Sequence, residues 1–95
     1  MKLSIIDAQH TIFSGAVSEA ILPASGGELA ILDYHEPAFV ALQRGSIKLK
    51  LMSQKIGRPE ANVQENPAQE ELERSFFVRQ GVARMKRNEL IILVE

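Results

Sequence analysis

Apolar and polar residues fall into three zones along this chain. Residues 1–52 hold apolar runs broken at short spacing by turn residues, residues 53–74 are polar and rich in breakers, and residues 75–95 become apolar again. The outer zones predict short strands, because apolar, β-prone runs bounded by Gly, Pro, Asn and Asp read that way. Leu3–Ile6 is the first, stopped by Asp7-Ala8-Gln9-His10. Ser14-Gly15 offers a turn, and Ala16–Leu22 follows as a second strand. Pro23 and Ser25-Gly26-Gly27 end it, since glycine admits positive φ and proline cannot continue a ladder. Leu29–Leu32 is short, and Phe39–Leu42 follows Pro37.

Ser46–Leu51 carries the clearest strand signal. Ile47, Leu49 and Leu51 alternate with Ser46, Lys48 and Lys50, so one face points to a core and the other to water. Leu90–Val94 is apolar on both faces instead. Such a strand must be covered twice, by the opposing sheet and by something else, and another protein chain is one candidate.

The middle zone competes with a purely β reading. Asn66-Pro67-Ala68-Gln69 is a good helix start, with Asn as N-cap, Pro at the first helical position and Gln three residues on. Ala68, Leu72, Phe76, Arg79 and Ala83 lie at helical spacing. Against a long helix, Phe76-Phe77-Val78 is β-prone and Gly81 costs about 1 kcal/mol in a helix interior. The balance favours strand from Ser75 onward, with at most a short helix before it and a mobile loop over residues 53–66. Six or more short strands at close intervals predict an all-β fold, an antiparallel sandwich or barrel.

Length and composition narrow the classes. Ninety-five residues predict a single domain spanning 1–95, burying about 64% of the surface its unfolded form exposes. Eleven Lys and Arg against twelve Asp and Glu give a formal charge of −1, which excludes a polybasic nucleic-acid grip as the main activity. With no cysteine, a disulfide scaffold, a Cys-ligated metal site and thiol catalysis are excluded. The longest apolar run, Leu90–Val94, falls far short of the roughly 20 residues a bilayer-crossing helix needs. Leu3-Ser4-Ile5-Ile6-Asp7 behind a single Lys makes neither a signal peptide nor an organelle presequence.

Candidate chemistry is sparse. Asp33, His35 and Glu36 cluster in Asp33-Tyr34-His35-Glu36-Pro37, where a metal set or an acid–base pair is conceivable. His10 is the sole other imidazole, and no His-x-His or His-Glu-x-x-His spacing supports a metal centre, so a structural or interface histidine is the preferred reading. Ser25-Gly26-Gly27-Glu28 lacks the Gly-Lys-Ser/Thr ending of a phosphate loop and reads as a tight turn displaying Glu28. The basic stretches Lys48, Lys50, Lys55, Arg58 and Arg79, Arg84, Lys86, Arg87 read as solvated faces. They lack interleaved aromatics, because Phe13, Tyr34, Phe39, Phe76 and Phe77 are mostly expected in the core. No Gly-x-Ser-x-Gly elbow surrounds any serine. An enzyme is not expected, and no cofactor or metal is implied.

Read in order, Leu3-Ser4-Ile5-Ile6, Ile12-Phe13-Ser14-Gly15, Gly27-Glu28-Leu29-Ala30-Ile31-Leu32, His35-Glu36-Pro37, Arg44-Gly45 before an alternating strand, Phe77–Ala83 and Leu90–Glu95 form a succession. It resembles the N-terminal β-sandwich of the epsilon subunit of F-type ATP synthases. That family shows a Phe-Ser-Gly turn, Gly-Glu-Phe/Leu-Gly-Ile-Leu, Pro-Gly-His-Ala-Pro and a late Ser-Gly-Gly. Here Asp33-Tyr34 replaces the Pro-Gly, Glu36 follows the histidine, and the late pair is Gln80-Gly81. The connection over 53–74 is longer than the family's by roughly a dozen residues.

The resemblance implies a non-catalytic rotor subunit of the central stalk, coupling the gamma subunit to the membrane c ring while an ion gradient drives ATP synthesis. Glu28, on its Gly26-Gly27 turn, would face the polar loops of the c ring. Tyr34, His35 and Pro37 would meet gamma. The sequence ends at Glu95, where family members continue into two helices, so the inhibitory helical arm is not expected. The implied location is the cytoplasmic face of a bacterial inner membrane, as a peripheral subunit. A stand-alone β-sandwich adaptor for another complex and a small metal-dependent enzyme using Asp33, His35 and Glu36 are the rival readings.

Overall fold

The computed structural model describes residues 1–52 and 72–95. Among them are eight strands: β1 (Lys2–Ile6), β2 (Thr11–Ala24), β3 (Gly27–Leu32), β4 (Ala38–Leu42), β5 (Gly45–Leu51), β6 (Leu72–Val78), β7 (Gly81–Lys86) and β8 (Glu89–Val94). They pack as a β-sandwich. One layer runs β4-β7-β8-β1 and ends on the first half of β2, and the other runs β3, the second half of β2, β5 and β6. All pairings are antiparallel except β1 with β8, which is parallel.

The long β2 belongs to both layers. Its residues 11–16 pair with β1, while Val17–Ala24 pair with β5 on one side and β3 on the other. The register slips between Val17 and Glu19. This bulge shifts the inward positions from Val17 to Ala20 and Leu22, all fully buried, where strict alternation would have turned Glu19 inward. Ser14-Gly15 is therefore not a turn but lies inside the strand. Gly15 is bare because the Phe13 ring lies over it, so that an added Cβ would come within 3.2 Å of the ring. Pro23 does not end the strand either. It pairs with Glu28 and its carbonyl accepts the Gln43 N–H at 2.9 Å.

Inward residues of both layers make one core: Leu3, Ile5, Met85, Leu90 and Ile92 from the first, and Leu22, Ile31, Ile47 and Leu49 from the second. At about 1.5–3 kcal/mol for each fully buried aliphatic side chain, this packing is the main stabilising term. No polar or charged residue is buried among the described residues.

Two further expectations need correction. The loop or short helix over 53–74 lies outside the described residues as far as 71, but residues 72–74 belong to β6, which starts three residues before Ser75. The arginine there explains the longer strand: the Arg74 guanidinium stacks on the Phe76 and Phe13 rings at 5.3 and 5.6 Å, fixing that segment against β2. The aromatics do not form the core. Phe13 and Phe76 pack at its margin, while Tyr34, Phe39 and Phe77 are 81%, 77% and 65% exposed. Aliphatic side chains from both layers already fill the interior.

Candidate partner-binding surfaces

The β2–β3 hairpin turns through Ser25-Gly26-Gly27. Gly26 and Gly27 have φ of +92° and +134°, which a side chain would strain, and nothing approaches within 4 Å of where their Cβ atoms would sit. The tip is therefore bare backbone open to a partner. Next to it, Glu28 projects into solvent, and the Lys48 ammonium donates to its Oε2 at 3.2 Å. Arg44, Ser46 and Lys48 line an open groove of about 350 Å³ beside this carboxylate.

The second group of expected residues follows β3 at its other end. Five residues at roughly 3.3 Å each separate Gly27 from Leu32, so the two groups stand about 17 Å apart. His35 N–H donates to the Leu32 carbonyl at 3.1 Å, closing a turn through Asp33-Tyr34. Tyr34 sits at φ +61°, and its N–H donates to Asn88 Oδ1 at 2.7 Å. Asn88 lies in the β7–β8 turn, where it and Arg87 both take left-handed φ values, as a tight hairpin matching strand twist requires. The amino group of Met1 pairs with the Asp33 carboxylate.

These contacts hold Tyr34 and His35 in place, just ahead of Pro37, and leave the Tyr34 ring exposed. They also pull the proposed ligand trio apart. Asp33 is taken by Met1, and His35 Nδ1 points back to the Glu36 carbonyl at 2.9 Å. Among the described residues no three His, Asp or Glu side chains are placed to hold a metal ion. A separate turn closes β1 into β2: the Asp7 carboxylate accepts N–H bonds from Gln9 and His10, both at 2.8 Å, and these hold its pKa below the ordinary value.

A third candidate surface was missed by reasoning from motifs. On the outer face of the first layer, Ile6, Leu93, Val82 and Ala41 stand in one register row across β1, β8, β7 and β4. The neighbouring row holds Ser4, Ile91, Arg84 and Phe39. Leu93, Val82 and Phe39 are 49%, 40% and 77% exposed, so an apolar sheet face meets water. The signal was present in Leu90–Val94. Leu90 and Ile92 are fully buried and Leu93 is not, so its second face lacks a cover among the described residues. The outer face of the second layer differs in kind. There Leu32, Glu19, Lys50 and Glu73 stand in one row and Ala30, Ile21, Lys48 and Ser75 in the next, so charged side chains, among them the Lys50–Glu19 pair, stand among exposed apolar ones such as Leu32 and Phe77.

The model of the ATP synthase delta/epsilon chain β-sandwich domain matches residues 1–95. The chain belongs to this family. Relatives include the ATP synthase epsilon chains of Dehalococcoides mccartyi, 41% identical over 51 residues, and of Herminiimonas arsenicoxydans, 33% identical over 54. Those matches take in 54% and 57% of this chain but only 36% and 39% of the relatives' own lengths. Among solved structures, a chain in the central stalk and c-ring structure of the Tetrahymena thermophila mitochondrial ATP synthase shares the fold. Its TM-score is 0.65 at 16% identity, covering 99% of this chain and 62% of that one. Membership explains the order of motifs along this epsilon-type sandwich, including Phe13-Ser14-Gly15, whose structural role is ring-on-glycine packing within β2.

Proposed function

We propose that this epsilon-type sandwich is a non-catalytic rotor part that joins the gamma subunit to the c ring and transmits torque between them. The observation that carries the reading is the exposed apolar sheet face of Ile6, Leu93, Val82, Ala41, Ile91 and Phe39. Soluble proteins rarely leave such a contiguous patch open unless a partner covers it. Phe39 on this face follows Pro37 by two residues, so the Tyr34–Pro37 segment borders it and is taken as part of the same gamma-facing surface. The carboxylate tip at Glu28, with Gly26 and Gly27, is the ring-facing surface, suited to charge-assisted hydrogen bonds with polar loops. A close-packed core resists deformation, as a part transmitting force between two neighbours must. In this reading the protein acts at the cytoplasmic face of the membrane and makes or breaks no bonds itself.

Reconstitution of the rotary complex tests this. With the protein, ATP hydrolysis drives ion pumping; with a Leu93→Asp variant or without the protein, hydrolysis uncouples from pumping. Equal coupling in all three preparations overturns the reading and leaves an adaptor for another complex, to be identified by the partners it recovers from cells.

A further inference from the structure

The apolar face carries a cation where it meets the charged end of the sheet. Arg84 projects from β7 between Phe39 of β4 and Ile91 of β8, its register partners, and is exposed. No ion pair, hydrogen bond or ring contact engages its guanidinium among the described residues. In the row beyond, Lys2 and Lys86 flank Glu89. This end of the face thus presents three cations, Lys2, Arg84 and Lys86, against one carboxylate, Glu89.

We propose that the gamma surface seated on this face is apolar and carries a carboxylate opposite Arg84, which makes Arg84 the residue that selects the partner. The inference rests on the reading of this face as gamma-facing and adds the chemistry of what it accepts. Docking would strip water from the guanidinium, and a charge buried without a counter-ion opposes association strongly. A carboxylate satisfies the planar fork with two parallel hydrogen bonds and fixes the register of an otherwise featureless apolar contact. A surface lacking that carboxylate, or bearing a cation there, is rejected.

The sign of one measurement separates the alternatives. Affinity for the cognate gamma subunit is measured for the wild type, Arg84→Met, Arg84→Glu and Leu93→Asp at low and high salt. With a facing carboxylate, Arg84→Met weakens binding at least about tenfold and Arg84→Glu at least about a hundredfold. The salt dependence of the wild type should shrink in Arg84→Met. If no carboxylate faces it, Arg84→Met leaves binding unchanged or tightens it, because an unpaired cation has been removed from the interface, and the proposal is overturned. Leu93→Asp keeps the two failures apart: loss of binding in Leu93→Asp with none in Arg84→Met rejects the Arg84 assignment alone. Intact binding in Leu93→Asp rejects the gamma-facing reading itself. A self-associating wild type made monomeric by Leu93→Asp, with no binding to gamma, gives the face to a second copy and likewise overturns the proposal.

Discussion

Gly81 lies where the β7 and β8 backbones leave no room for a side chain. An added Cβ there would run into the Leu93 carbonyl oxygen and sit 3.2 Å from the Val94 Cα, both main-chain atoms that cannot rotate away. Gly81→Ala should therefore destabilise the fold by about 2–3 kcal/mol, the scale of overpacking a fitted site. Gly26→Ala meets no atom within 4 Å and suffers only its positive φ, about 1–2 kcal/mol. Chemical denaturation of the two variants checks the order; a Gly26 variant less stable than the Gly81 variant contradicts it. Glycines that look alike in sequence are thus distinguished by what lies opposite them. The same holds for phenylalanines: Phe13 lies over Gly15 and tilts against Phe76 at a centroid distance of 5.6 Å, while Phe39 faces water.

At the scale of elements, the β7–β8 turn holds the segment after β3. Asn88 both adopts the left-handed conformation of the turn and accepts the Tyr34 N–H. Asn88→Ala removes that acceptor and raises the conformational cost, together about 1–2 kcal/mol. The expected signature is faster amide exchange at Tyr34 with the core strands unchanged; equal protection at Tyr34 would show that Asn88 does not hold the segment. Strands with a clean alternation were legible in advance: Ile47 and Leu49 are buried and Lys48 is exposed, as the pattern of β5 required. The continuous β2 was not, because a bulge resets which residues point inward and no local pattern marks it. The ordered motifs carried the fold, and the same resemblance singled out the groups around Glu28 and His35. The apolar face escaped because its members come from four strands far apart in sequence, brought together only by pairing.

For the molecule as a whole, the two layers present opposite outer faces, one with two mainly apolar rows and one where charged and apolar residues are interspersed, with the carboxylate tip at the far end of β3 from His35. Surfaces that far apart should act independently. Glu28→Gln is expected to lower affinity for the isolated c ring and leave gamma binding unchanged, with Leu93→Asp doing the reverse. The double variant should add the two effects within about 0.5 kcal/mol. Coupling beyond that would mean one surface rather than two. Glu28→Lys is a poorer probe, since it sets a second ammonium beside Lys48 and perturbs the groove before any partner arrives.

The strand shared by both layers also bears on mechanics. Residues 11–16 of β2 lie in the sheet whose outside is apolar, and Ala24 leads directly into the glycine tip. A twist imposed on one side of the body therefore reaches the other along an unbroken covalent backbone. In the proposed torque-bearing role, this strand carries load between the layers alongside the close-packed core.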